Sequence, residues 1–166
     1  MGAEIVRLCA ERAKNIHQVR EHCCAEAVLT TLAHAFGGDE MPAALAVRLG
    51  SGFCKGMGGA GCLCGALAAA QIFNGLLLGP FCEQGLAKKE FMPLARKLHD
   101  DFKDRFGATC CRKLLKKRKE KRGAACPEIT AGAAELAAAQ ILASRPELAA
   151  GADLEFLRRR EEKKRQ

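Results

Sequence analysis

Four cysteines, Cys24, Cys64, Cys111 and Cys126, each stand where the sequence predicts the start of a helix. A helix N-terminus presents unpaired N–H groups and the positive end of the peptide dipoles, which stabilises an anionic sulfur and lowers its pKa. Thiolates so placed serve as metal ligands or as exchanging redox groups. Cys126 precedes Pro127, and proline is favoured at the first helical position, so Cys126 falls at the N-cap. Cys24 opens an apolar face at helical spacing, Ala25, Val28, Leu29, Leu32 and Phe36, which stops at Gly37-Gly38. Cys64 follows a glycine-rich loop and begins an apolar run. Cys111 begins Arg112-Lys113-Leu114-Leu115 after Gly107.

The spacings among these four are long, so the paired short spacings of a zinc finger are absent and zinc is the weaker metal reading. Six further cysteines surround them. Cys62 forms a C-x-C pair with Cys64, while Cys23-Cys24 and Cys110-Cys111 are vicinal pairs. Adjacent residues on a helix point in different directions, so one member of each vicinal pair is expected to face the site. Cys62, Cys110 and Cys23 are therefore auxiliary candidates, as is His22 beside them. Cys9, Cys54 and Cys82 stand alone and read as small buried hydrophobes.

The elements that must position these groups all read as helices, and no segment alternates with period two. The expected fold is all-α, one compact bundle of about six to seven helices, with a glycine-rich loop at the cysteine site. Residues 1–157 form a single domain and 158–166 a charged, solvated C-terminal tail. Ile5, Leu8, Cys9, Ile16 and Val19 make a first amphipathic face. A short helix spans Pro42 to Leu49, with Asp39 and Glu40 placed to cap it. The loop from Gly50 to Gly61 follows. Gly56, Gly58, Gly59 and Gly61 within it allow positive φ and close approach of backbone to the site. Phe91, Leu94, Ala95, Leu98, Phe102 and Phe106 mark a long amphipathic helix ending at Gly107. Ile129, Ala133, Leu136, Ala137 and Ile141 mark another.

The net charge of +8 is concentrated: Arg112 to Arg122 holds eight basic residues and one acidic. Positive charge beside Cys111 favours thiolates or an anionic cluster and steers an acidic redox partner, with Lys113, Lys116, Lys117 and Arg118 as candidate contacts. Nucleic acid is the weaker partner, because the run lacks interleaved aromatics and the chain has no Trp or Tyr for base stacking. The N-terminus carries charges immediately and has no apolar core, so a cytoplasmic protein is expected. In such a compartment cysteines serve more often as ligands or redox groups than as static bridges. The uncharged stretch from Gly56 to Cys82 is broken by seven glycines, Gln71 and Asn74, which suits a buried central helix rather than a membrane span. Motifs for serine nucleophiles, phosphate-binding loops, H-E-x-x-H zinc sites and C-x-x-C-H haem attachment do not occur.

At the four cysteines the chain resembles the C-GCAxxG-C-C family of redox-active proteins. The family's pattern is a cysteine opening a helix, then C-G-A-x-x-G, then two more separated cysteines. Its counterparts here are Cys24-Ala25-Glu26-Ala27-Val28-Leu29, then Gly52-Phe53 through Gly56-Met57-Gly58 to Cys64-Gly65-Ala66-Leu67, then Cys111-Arg112-Lys113-Leu114-Leu115, then Cys126-Pro127-Glu128. Ala69 stands where the pattern has its last glycine. The resemblance implies a redox role carried by cysteine. A similar segment in split-Soret cytochromes is associated with an iron-sulfur centre, which implies such a cluster here.

Two functions follow as expectations. The first is a redox protein in which Cys24, Cys64, Cys111 and Cys126 converge at one electropositive site. They would hold an iron-sulfur cluster for electron transfer or act as exchanging thiols, pairing Cys111 with Cys126 and Cys24 with Cys64. The alternative is a structural zinc-binding module with a basic helix that contacts nucleic acid.

Overall fold

A computed structural model describes residues 1–162, and these are helical throughout apart from turns and one isolated β-bridge. The element order is α1 (Gly2–Gln18), α2 (Cys24–Leu32), a π-helical turn (Ala33–Gly37), α3 (Ala43–Gly50), a 3₁₀ turn (Ser51–Phe53) and α4 (Cys54–Met57). Then come α5 (Gly65–Leu78), α6 (Lys88–Phe106), α7 (Cys111–Lys119), α8 (Cys126–Ser144), a second 3₁₀ turn (Pro146–Gly151) and α9 (Leu154–Arg158). Seven of the described α-helices have seven residues or more, so the all-α expectation holds.

The core forms where apolar stripes meet. From α1 come Ile5, Leu8, Cys9, Ala13 and Ile16, and from α8 Ile129, Ala133, Ala134, Ala137, Ala138 and Ile141, all buried. These two helices pack along their length, with α8 also against α2, α5 and α6. Short alanine side chains let the backbones approach closely, and Phe73 and Leu77 of α5 fill the space between. Each such fully buried large side chain contributes about 1.5–3 kcal/mol through removal of apolar surface from water. One polar chain crosses the bundle: Asn74 of α5 donates to Gln140 of α8 at 2.5 Å, and Gln140 donates to the carbonyl of Leu94 at 3.0 Å. No helix among the described residues is long and apolar enough to cross a membrane.

Local ends depart from expectation in three places. Asp39 and Glu40 do not cap α3: Pro42 is its N-cap and no side chain caps it. Cys126 is not an N-cap, because Ala125 takes that position and Cys126 is the first helical residue ahead of Pro127. The chain beyond Leu157, expected to be solvated, is fastened as far as it is described. Glu161 pairs with the buried Arg12 at 3.0 Å, and its backbone N–H and carbonyl both bond the side chain of Asn15. Arg158 bonds Glu4 at 2.8 Å, and Arg160 bonds Glu11 at 2.6 Å.

Candidate functional site

Four helix starts meet at one cavity of about 900 Å³. Cys24, Cys64, Cys111 and Cys126 all line it, with His22, Cys23, Lys55, Gly65, Leu114, Ile129 and Arg118. Cys24 is the first residue of α2, Cys64 the N-cap of α5, Cys111 the first residue of α7 and Cys126 the first of α8. Its rim carries cations from Arg20, Lys55 and Arg118 and carboxylates from Glu21 and Glu161.

Backbone pairing fixes two of these starts against each other. Residues 61–64 run antiparallel to 109–112: Cys64 N–H bonds the Thr109 carbonyl at 2.8 Å, Cys111 N–H the Cys62 carbonyl at 2.6 Å, and Arg112 N–H the Gly61 carbonyl at 2.9 Å. Leu63 and Cys110 are the opposed pair of this bridge. Side chains alternate across a strand, so Cys64 and Cys111 face the cavity while Leu63 and Cys110 turn away. This accounts for the division within the Cys110-Cys111 pair. Cys62 is exposed, and neither it nor Cys110 lines the cavity, whereas the other two auxiliary candidates, Cys23 and His22, do.

The glycine-rich segment is shorter than expected, because Gly50 ends α3 and Gly52 lies in a 3₁₀ turn. What remains is a left-handed turn in which Lys55, Gly56, Met57, Gly58 and Gly59 all have positive φ. Left-handed backbone costs a non-glycine residue about 1–2 kcal/mol, which Lys55 and Met57 both bear. The turn brings backbone to sulfur: the Lys55 N–H donates toward the Cys24 thiol. A Cβ on Gly56 would lie 2.5 Å from the Cβ of Cys111, so only glycine allows this approach. Gly61 rests against Arg112, whose guanidinium donates to the Ala60 carbonyl at 2.9 Å. A Cβ on Gly58 or Gly59 would meet nothing within 4 Å.

Cys24, Cys64 and Cys111 are not the acidic thiols their helix starts suggested. Burial pushes the Cys64 thiol up to about 12; the N–H groups of Leu67 and Ala66 oppose this, and Cys24 and Cys111 add to it. Burial also raises Cys24, against N–H donation from Lys55 and Ala25, with Cys126 and Cys111 reinforcing the rise. Cys111 is raised by burial and by Cys126 and Cys110. Desolvation of the charged form outweighs the helix terminus. The sulfurs also penalise one another's ionisation, which is a mark of their closeness. The thiol that is lowered is Cys110, through the N–H of Lys113 and then that of Arg112 at the start of α7.

A second sulfur feature sits beside the cavity. Cys23, the N-cap of α2, forms a disulfide with Cys54, and their Cα atoms are 5.8 Å apart. This corrects the reading of Cys54 as a lone buried hydrophobe. The bridge ties the left-handed turn to the first turn of α2. No local signal in the sequence links residues 31 apart; only the packing of α3 beneath α2 brings them together. Cys9 is fully buried in the core, and Cys82 lies in the turn after α5, outside the cavity.

On the basic run, Leu114 is buried and anchors α7, while Lys113, Lys116 and Arg118 are exposed and Lys117 packs over Gly107 and Gly123. Of the four candidate partner contacts only Arg118 reaches the cavity rim.

A family described as "Putative redox-active protein (C_GCAxxG_C_C)" matches residues 22–140. That span contains all four cavity cysteines and both halves of the disulfide, and leaves out the whole of α1 and the end of the chain. No curated protein and no solved structure matches. With most of its length inside the family's span, and with four of its cysteines lining one cavity, this chain belongs to the C_GCAxxG_C_C family of redox-active proteins.

Proposed function

We propose that the protein is an electron carrier in which Cys24, Cys64, Cys111 and Cys126 ligate an iron-sulfur cluster in the cavity. The observation that carries this reading is the state of the thiols. A thiol held near 12 is almost wholly protonated at neutral pH and is a poor nucleophile for disulfide exchange. Buried thiols that repel one another's charge instead suit a site where metal cations replace the protons.

The donor set fits such a group. Four cysteines are the usual ligand number for two-iron and four-iron clusters, and four helix starts aim their N–H groups at the cavity. When bound, the cluster supplies reversible one-electron transfer. The chain's own residues tune and protect the site. N–H groups of Lys55, Ala25, Leu67 and Ala66 donate toward the Cys24 and Cys64 sulfurs, stabilising added negative charge. Leu114 and Ile129 exclude water from one wall. Arg118, at the rim, and the exposed Lys113 and Lys116 offer positive charge to an acidic partner protein.

Thiol exchange is better served by Cys110, whose pKa is lowered, than by Cys24, Cys64 and Cys111, whose pKa values are raised. Anaerobic purification with iron and acid-labile sulfide analysis tests the proposal. Brown protein holding both supports it; zinc in place of iron, or colourless protein that cannot be reconstituted, contradicts it.

A further inference from the structure

The first turn of α2 carries a donor cluster distinct from the four-cysteine set. The Sγ atoms of Cys23 and Cys54 and a carboxylate oxygen of Glu26 all lie within 4.8 Å of one another. His22 Nδ1 is 3.8 Å from Glu26 Oε2. All four residues are partly buried, enough to restrain the side chains while leaving a path for an ion. Glu26 is held in place because Oε2 accepts the Cys23 N–H at 2.9 Å, the reciprocal half of a capping box. Capping uses one of the several lone pairs of the carboxylate, and the rest remain for a second partner.

We propose that reduction of the Cys23–Cys54 disulfide turns this cluster into a zinc site, with Cys23, Cys54 and Glu26 as ligands and His22 as the fourth. Two thiolates, a carboxylate and an imidazole match the ligand types and the tetrahedral number of zinc, with Zn–S bonds of about 2.3 Å. The reductant is a dithiol. Its thiolate attacks one sulfur of the bridge and its second thiol resolves the mixed disulfide. The Cys23–Cys54 bond thereby breaks and gains two electrons and two protons, while the dithiol closes to its own disulfide. Zn²⁺ then displaces the two thiol protons to solvent as two Zn–S bonds form. In the oxidised form the sulfurs carry no charge and cannot bind the ion, so zinc occupancy follows the redox state. Cys54 stays joined to α2 in both states, once through sulfur and once through metal, and the turn from Lys55 to Gly59 keeps its place over the cavity.

The experiment is cysteine-resolved alkylation of the full-length protein, reduced anaerobically with a dithiol, with and without Zn²⁺. Tandem mass spectrometry reports each cysteine separately. Zinc is expected to slow modification of Cys23 and Cys54, and to do nothing at these positions before reduction. Glu26→Gln keeps the capping acceptor but loses the anionic ligand, so the zinc concentration giving half protection should rise at least about tenfold, the scale lost when even a supporting partner is removed from a metal site. The proposal is overturned if Cys23 and Cys54 react equally fast with and without zinc. It is also overturned if zinc protects only Cys24, Cys64, Cys111 and Cys126, or if Glu26→Gln retains full protection.

Discussion

A Cβ placed on Gly65 would lie 3.0 Å from the Sγ of Cys24 and 2.5 Å from the carbonyl oxygen of Phe53. The first residue of α5 is therefore bare because the first sulfur of α2 and the chain ahead of Cys54 occupy the space a side chain would need. Gly65→Ala must push the sulfur or the backbone aside, an overpacking cost of about 1–3 kcal/mol. We expect lower stability in urea unfolding together with lower iron content, since Cys24 moves from its place.

The left-handed turn separates strain from contact. Gly56 and Gly58 both have positive φ, but a Cβ on Gly56 meets Cys111 at 2.5 Å whereas one on Gly58 meets nothing. Gly58→Ala should cost about 1–2 kcal/mol through backbone conformation alone and leave iron content unchanged. Gly56→Ala should cost more and reduce it, as measured by unfolding and iron analysis side by side.

Reduced apo-protein should weaken at alkaline pH. The Cys64 thiol stands at about 12 in the fold against an ordinary 9.0, so the folded state keeps a proton that the unfolded state releases. Its contribution is fully present below about pH 9 and is lost as pH rises toward 12, with a slope of at most about 1.4 kcal/mol per pH unit for this group. Cys9, also raised to about 12 by burial, acts in the same sense. Denaturant melts between pH 8 and 11 should fall less steeply for Cys64→Ala than for the unaltered protein; equal slopes would show that the thiol is not held protonated by the fold.

The disulfide should matter for stability as well as for metal. Cys23 and Cys54 are 31 residues apart, and closing a loop of that length constrains the unfolded chain by about 3–4 kcal/mol in the chain-entropy treatment. Urea unfolding with and without a dithiol, in metal-free buffer, should show a loss of this order, and Cys54→Ser should show no further response to the dithiol.

Much of the bundle was legible because helices announce themselves locally. The stripe Phe91, Leu94, Leu98, Phe102 and Phe106 gives the body of α6 and the stop at Gly107 gives its end, while its start at Lys88 has no apolar mark, since periodicity and a left-handed C-cap are properties of neighbouring residues. The helix-start positions of Cys24, Cys64 and Cys111 were legible for the same reason. The acidity of the thiols was not. A helix terminus is visible in sequence, whereas burial by α5 and α8 and the proximity of other sulfurs belong to the folded chain, and these raise Cys64 where the terminus alone would lower it. The Cys23–Cys54 pair, the bridge between Leu63 and Cys110, and the seating of Glu161 on Arg12 join residues far apart in sequence, so no local pattern marks them.

The central claim is that the cavity cysteines, and not the cysteines at large, hold the redox centre. Cys64 lines the cavity, and Cys82 lies beyond α5 outside it. Iron and acid-labile sulfide measured per chain in anaerobically purified Cys64→Ser and Cys82→Ser proteins test this most directly. Cys82→Ser is expected to match the unaltered protein while Cys64→Ser loses the cluster or retains a small fraction of it. Equal iron and sulfide in the two variants would contradict it.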